Sequence, residues 1–446
     1  MNRKEFQQLA KNRVLLLDGA AGSNFLLAGM PAGVCSELWL IEHPQALLDL
    51  QKAYVEAGTQ ILYAPTFGGN RFMLEEKHVT MPVEEVNRRI VELSREAAQG
   101  KALIAGDMTM TGRQLIPNGQ MSIHEAIEGY KEQAKALYEA GVDLFVVETM
   151  VSLQEMRAAV LAIREVCDLP VLSTFTVDAN GFTFLGTEIT AAAVTLERMG
   201  VDAVGLNCSM GPDQMGLAVQ KMKQAVHIPV IAKANAGHPE QEDGRTVYRM
   251  TPEKYAACAD ALLDTGVDMI GGCCGTTPAT IQAVYELLKK RGRYAALDAE
   301  AEKAVEESET EHIYDSALTS ARSIFNVEEA EEISYAGCTA ENEELAECLK
   351  KQEYEDLIDA LEDAEDCDLL FVDVDSLGEN SVAGIEPLMG TIASMNLPVC
   401  LRTERMDVLK EALVSYCGSM AVKKNALTES EEAKTWMTCC GAVIME

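Results

Sequence analysis

Positive charge is what this chain has least of: 37 Lys and Arg stand against 71 Asp and Glu, a formal net charge of -34. Phosphate backbones are gripped by clustered Lys and Arg, and no such cluster appears, which excludes a nucleic-acid partner. Long apolar runs are missing too. None approaches the roughly 18 residues that signal a membrane helix, so no membrane partner is expected. The first residues, MNRKEFQQLAKNRVLLLDGAAG, are too polar for a secretion signal and their apolar stretch is too short; a cytoplasmic location is expected. Histidine is rare, at six residues, and shows no H-x-x-x-H spacing, which removes the two-histidine helical metal motif.

Cysteine is plentiful. Thirteen is an odd count in a long chain, which argues against a disulfide framework and for a reducing compartment. Cys35, Cys167, Cys258, Cys338, Cys348, Cys367, Cys400 and Cys417 read as small core residues. Cys439 and Cys440 read the same way, because no third ligand is placed near them and Gly441 opens a strand after the pair.

From the start to about Arg293 one theme repeats, a short apolar run followed by a longer amphipathic stretch. The runs are Val14–Leu17, Gln60–Tyr63, Ala102–Ala105, Leu144–Val147, Val171–Phe175, Ala203–Leu206, Val230–Ala232 and Met269–Gly271, each too short for a helix. Helical patterns separate them, several opened by Pro or by a capping residue such as Ser152, Thr251 or Thr277. Eight such units predict an α/β fold, a (β/α)8 barrel, with an open doubly wound sheet as the competitor. Residues 1–293 are assigned to the barrel and 294–330 to an acidic helical linker. Residues 331–446 are assigned to a smaller α/β domain of about four strands, opened by a short run at Ile333–Tyr335 and a helix over Glu341–Ala364.

Barrels of this kind work at the C-terminal ends of their strands. Polar residues cluster there in this chain: Asp18 after the first run, Asp107 after the third, Glu148 after the fourth, Asn207 and Cys208 after the sixth, Lys233 and Asn235 at the seventh. The eighth run ends in GGCCGTTP, with Cys273 and Cys274. Adjacent residues on a regular strand point to opposite faces. Gly271, Gly272 and Gly275 allow the strand to break and aim both sulfurs inward. Cys208, Cys273 and Cys274 then form a three-thiolate face for Zn2+ with the fourth position open for an incoming thiol. Asp18 and Glu148 together suit a substrate ammonium, and the backbone N–H groups of Gly19, Ala20, Gly22 and Ser23 suit a carboxylate. With Asn207 and Asn235 these complete the expected substrate-binding set, and an aminothiol is the substrate they suggest.

The strings DGAAGS, APTFGGNR, VVET, GLNCS, KANAG and GGCCGTTP resemble, over about residues 10 to 292, the homocysteine-binding module of the homocysteine S-methyltransferase family. The resemblance implies a zinc barrel that methylates homocysteine to methionine. It implies Cys208, Cys273 and Cys274 as zinc ligands, Asp18 and Glu148 at the substrate amino group, and the amides around Gly19 to Ser23 at its carboxylate. Pro65, Gly69, Ser23, Lys233 and Ala234 depart from the family's usual residues.

CDLLFVDVDSLG, the segment from Leu397 to Ala426 and the final GAVIME resemble, less specifically, the first half of the pterin-binding barrel that follows the homocysteine module in cobalamin-dependent methionine synthase. Thr403, Asp375 and Lys424-Asn425 replace the residues usual in that barrel, and its second half is missing, which argues against folate. A degenerate half-barrel kept for docking or pairing is expected, with a second copy of the chain as a possible partner in a homodimer. The implied methyl donor is a corrinoid protein carrying methylcobalamin on another chain, since no D-x-H-x-x-G pattern occurs here. Open alternatives are another thiol acceptor, a small donor such as S-methylmethionine or a betaine, and a non-catalytic subunit that docks a corrinoid protein.

Overall fold

Eight parallel strands ring the first part of the chain in the computed structural model, which describes residues 1–11, 13–242, 245–297, 317–326, 335–338, 368–375 and 381–445. They are β1 (Leu15–Leu16), β2 (Ile61–Ala64), β3 (Leu103–Met108), β4 (Leu144–Met150), β5 (Val171–Phe175), β6 (Ala203–Asn207) and β7 (Val230–Ala234), then, after a small hairpin of β8 (Glu240–Glu242) and β9 (Arg245–Val247), β10 (Met269–Gly272). Their order is β1-β10-β7-β6-β5-β4-β3-β2, and a Leu17–Ile61 bridge joins the two edges. The expected (β/α)8 barrel is therefore the fold. Every expected strand and helix of the barrel is present, with strand ends shifted by up to three residues.

Both faces of each strand are buried, which explains the unbroken apolar runs. Leu16, Leu62, Val147 and Val204 pack outward against the helices. Leu15, Leu17, Ile61, Ala105, Leu144, Leu172, Ala203, Ile231 and Met269 fill the interior. The helix Arg3–Ala10, which the apolar pattern did not signal, plugs the N-terminal end of the barrel with Phe6 and Ala10. Arg3 fastens it to Asp202 at 2.8 Å. The opposite end is left free for a site.

The second unit is a five-stranded parallel sheet, introduced by a hairpin. β11 (Ala317–Thr319) and β12 (Ile324–Asn326) pair antiparallel. β13 (Tyr335–Cys338), β14 (Leu369–Asp373), β15 (Val399–Arg402), β16 (Ala421–Lys423) and β17 (Val443–Met445) follow in spatial order. The helices Ser381–Ser394, Met406–Ser415 and Glu431–Cys440 connect the later strands. Two expectations need correction. The end of the segment read as a helical linker is the β11–β12 hairpin, whose Ala317, Leu318 and Thr319 are fully buried. It belongs with the second sheet, because Thr319 bridges Ser419 and the Tyr416 hydroxyl donates to the Thr319 carbonyl at 3.2 Å. Gly441 does not open a strand but ends a helix with a positive φ of 70°, leaving Cys440 buried and Cys439 exposed. The helix expected over residues 341–364 lies outside the described residues.

The two units are packed together. The helices Leu153–Val166 and Ile189–Arg198 of the barrel meet Glu431–Cys440 and β11. Cys400 and Cys417 are core residues as expected, whereas Cys35, Cys167 and Cys258 are half-buried.

Candidate functional site

The C-terminal ends of the barrel strands enclose a pocket of about 280 Å³. One side of its wall is sulfur. The Sγ atoms of Cys208, Cys273 and Cys274 lie within 4.8 Å of one another, with Cys208 and Cys274 3.9 Å apart. Three sulfurs on a tetrahedral zinc at Zn–S of about 2.3 Å would stand about 3.8 Å apart. The donor set and its spacing therefore fit that ion.

The backbone arranges this by leaving the strand geometry. Cys208 turns to φ 61° directly after β6, and Ser209 follows at 59°. The Cys208 N–H donates to the Lys233 carbonyl at 3.1 Å and the Cys273 N–H to the Ala234 carbonyl at 2.6 Å, so β7 sets both cysteine loops. Gly275 takes φ 79°, and a Cβ there would lie 2.3 Å from the Tyr248 ring. Thr276 then ties this loop to its neighbour: its hydroxyl donates to the Cys273 carbonyl at 2.7 Å and accepts the Ala20 N–H at 3.0 Å.

As free thiols these groups hold their protons. Cys208 contact pulls Cys274 down, but its contact with Cys273 and burial outweigh that and leave it at about 11. For Cys208 the pull of Cys273 is likewise outweighed by Cys274 and burial, again giving about 11. Cys273 is pushed higher, first by its contact with Cys208 and then by burial. A thiolate set here needs a cation.

The other side of the pocket is acidic. Asp18, Asp107, Glu148 and Glu37 line it, all buried, around one buried lysine, Lys233. Asp18 accepts the Tyr63 N–H at 2.8 Å, and Lys233 Nζ stands 3.2 Å from its other oxygen. That approach makes an ion pair but is off the hydrogen-bond direction, so Asp18 Oδ1 has no hydrogen-bond donor. Lys233 also lies 4.5 Å over the Tyr63 ring. Burial raises Asp18 and Glu148 above the usual carboxylate range against the pull of Lys233. Burial, then the Glu148 charge, raises Asp107 further. Burial works against the Lys233 charge, but Asp18 and Glu148 more than restore it.

Beside the acids, Gly19 to Ser23 run into the helix Gly22–Leu27, whose preceding residue Ala21 supplies no side-chain cap. First-turn N–H groups have no acceptor within their helix. The Ser23 hydroxyl accepts the Gly275 N–H at 3.2 Å, joining this turn to the cysteine loop.

Most of the residues expected from sequence converge on this pocket: Asp18, Gly19, Ala20, Gly22, Ser23, Glu148, Cys208, Cys273 and Cys274 all line it. Three details differ. The Ala20 N–H is already given to Thr276 and is not free for a carboxylate. Asn207 is fully buried behind the wall, accepting the Thr149 N–H at 2.8 Å and the Thr174 hydroxyl at 2.9 Å. Asn235 is buried likewise and does not line the pocket. Residues not assigned a role from sequence also face it, notably Tyr63, Asp107, Lys233 and Glu37. Asp107 and Lys233 had a signal in their strand-end position. Glu37 had none; it reaches in from the helix Ser36–Glu42 and is held by the Gly68 N–H at 2.7 Å.

In the second unit the strand-end polar groups bond to one another. Asp375 accepts the Thr403 hydroxyl at 2.5 Å and the Glu404 N–H at 2.6 Å, while Asn425 donates to the Thr403 carbonyl at 2.7 Å.

The sequence profile described as homocysteine S-methyltransferase matches residues 15–288. Proteins called methionine synthase from Mycobacterium leprae (strain TN) and Mycobacterium tuberculosis (strain ATCC 25618 / H37Rv) are each 28% identical over 434 residues, 92% of this chain. The chain spans 35% of the length of these relatives. Among solved structures, the metallated homocysteine methyltransferase MmuM from Escherichia coli matches 64% of this chain and 98% of its own, at 22% identity and a TM-score of 0.53, which supports the barrel fold.

Proposed function

The chain belongs to the homocysteine S-methyltransferase family, and from that premise we propose that it transfers a methyl group to the thiol of homocysteine, giving methionine, with zinc held by Cys208, Cys273 and Cys274. The observation that carries the reading is the three-sulfur cluster set in one wall of a pocket whose opposite wall is acidic. Zinc in that cluster supplies a Lewis acid that favours the thiolate form of an incoming thiol at neutral pH.

The protein's own groups do the rest. Glu148 and the acids around it take the substrate ammonium. The free N–H groups of Gly22 and Ser23 take the carboxylate, aided by the helix start. Asn207 braces the Glu148–Thr149 turn from behind. Holding the amino acid at both ends aims its sulfur at a donor entering from the open mouth, so positioning provides much of the rate. In the reaction a sulfur–carbon bond forms, the methyl–donor bond breaks, and the thiol proton is released.

The donor we favour is a methylated corrinoid protein on another chain. Supporting this is the resemblance of the second unit to the module that follows the homocysteine module in cobalamin-dependent methionine synthase, together with relatives named methionine synthase. In this reading residues 1–293 form the homocysteine module. The second unit is a docking or pairing element rather than a folate site, because Asp375, Thr403 and Asn425 are engaged with each other.

The test is metal analysis of purified protein followed by turnover of homocysteine with methylcobalamin, with S-methylmethionine and with a betaine in parallel. About one zinc per chain and methionine formation from methylcobalamin are expected. Metal-free protein, or a Cys273→Ala variant with unchanged turnover, would overturn the proposal.

A further inference from the structure

Four carboxylates and one lysine share the acidic wall, and their partners are unequal. Glu37 accepts the Gly68 N–H at 2.7 Å and the Ser36 hydroxyl at 3.0 Å. Of the other three, Asp18 is the best supplied: one oxygen takes the Tyr63 N–H at 2.8 Å, and the other, though it has no hydrogen-bond donor, is ion-paired with Lys233 Nζ at 3.2 Å. Asp107 and Glu148 are less so. Asp107 is only 5% exposed, and its Oδ1 has no hydrogen-bond partner. Its backbone is fixed from both sides by Thr66, whose hydroxyl accepts the Asp107 N–H at 3.1 Å and donates to the Asp107 carbonyl at 2.7 Å. The Glu148 carboxylate has only the Asn207 amide, at a long 3.5 Å. The two acids sit on neighbouring strands, β3 and β4, and line the same pocket.

A buried carboxylate without a donor is costly, and two facing one another repel. Lys233 offsets one acid of the four, and Glu37 has its own donors. What remains is a buried negative pair, fixed in place and short of donors, next to the sulfur cluster. An alkylammonium has three N–H donors and one positive charge, which is what that pair lacks.

We propose that Asp107 is a substrate-binding carboxylate and that, with Glu148, it holds the substrate ammonium, while Asp18 serves as the counter-ion of Lys233. This rests on the reading that an aminothiol occupies the pocket. Asp107 then sets selectivity for α-amino thiols over thiols that lack the amino group. Burial raises the affinity of both acids for protons, with the Glu148 charge adding to it at Asp107 and the Asp18 charge adding to it at Glu148, as in an unfilled cation site.

The experiment compares binding of L-homocysteine and 4-sulfanylbutanoate, the same thiol without its amino group, to zinc-loaded protein by calorimetry. The wild type should prefer homocysteine. Asp107→Asn keeps the shape and the backbone bonds to Thr66. It should weaken homocysteine by about tenfold to a hundredfold, the size of one charge-assisted hydrogen bond, and leave 4-sulfanylbutanoate nearly unchanged. Asp107→Ser repeats the test in a smaller side chain should the amide disturb folding. If the wild type binds neither thiol, the functional reading falls and the role of Asp107 with it. If the wild type prefers homocysteine and the Asp107 variants keep the full preference, the role of Asp107 alone is overturned.

Discussion

Arg157 Nη2 donates to the Leu413 carbonyl at 2.7 Å, so a cation from the barrel closes the C-terminal end of a helix in the second unit. Its Nη1 bonds the Val414 carbonyl at 3.1 Å and also reaches the Tyr416 carbonyl. Arg157 is 1% exposed. The last carbonyls of a helix have no partner of their own, and a cation suits the negative end of its dipole.

Arg157→Met should therefore cost about 3 kcal/mol of unfolding free energy, because it strands several buried carbonyls at once. Urea unfolding measures it. Arg157→Lys should recover less than half, since one ammonium cannot reproduce the guanidinium fork. An unchanged urea midpoint in the methionine variant would show that the two units do not lean on this contact.

A second contact across the same boundary depends on pH. His124 Nε2 lies 2.9 Å from Glu411 Oε2, and that hydrogen bond raises the His124 pKa, with burial opposing it and Glu386 and Glu128 adding to it. A raised folded-state pKa means that the contribution is complete below the unfolded value of about 6.5 and fades as pH climbs through the folded one. The side chain is 54% exposed, so solvent screening limits the effect to about half a kcal/mol. Comparing wild type with His124→Gln should show a stability gap at pH 6 that closes by about pH 8.5. A gap independent of pH would mean that the pair contributes only packing.

Much of the site is legible in the sequence. A parallel barrel puts every strand end on one face, so Asp18, Glu148, Cys208 and the Cys273–Cys274 pair can be gathered from spacing alone. Sequence does not reveal which neighbour faces the pocket. Asn207 and Cys208 are adjacent, and only the positive φ of Cys208 sends its sulfur into the wall while Asn207 stays behind it. Nor does it reveal Glu37, which arrives from outside the strand pattern. The β11–β12 hairpin is hidden because the acidic stretch before it dominates the composition, although Ala317 and Leu318 are apolar and fully buried.

The glycines beside the cysteine pair give a direct test of how the sulfur cluster is built. Gly275→Ala must accommodate a Cβ 2.3 Å from the Tyr248 ring at φ 79°, and Gly272→Ala one 2.4 Å from Thr276 Oγ1. Either forces the Cys273–Cys274 loop to move. Zinc retention against a competing chelator should fall at least about tenfold in each: in Gly275→Ala a φ above zero alone costs a non-glycine residue about 1–2 kcal/mol, and in Gly272→Ala the new Cβ collides with Thr276. Gly272→Ala should also weaken homocysteine binding, because Thr276 connects the Cys273 carbonyl to the Ala20 N–H. Wild-type retention in Gly275→Ala would mean that the loop is set by something other than this backbone turn.

Asn207 offers the sharpest separation of positioning from contact. It lies outside the pocket, yet its Oδ1 accepts the Thr149 N–H at 2.8 Å and its Nδ2 donates to the Thr149 hydroxyl at 2.7 Å. Thr149 needs that support, because it sits at φ 61°, where a β-branched residue is strained. The same Nδ2 lies 3.5 Å from the Glu148 carboxylate and 3.9 Å from Cys273 Sγ, between the two halves of the site. Asn207→Ala should let the Glu148–Thr149 turn relax and raise KM for homocysteine about tenfold, with kcat reduced much less and zinc content intact. Asn207→Asp should be worse, because it sets a third carboxylate beside Glu148 in a low-dielectric wall. Loss of zinc in the alanine variant would instead make Asn207 a support of the cysteine cluster, and an unchanged KM would remove it from the site altogether.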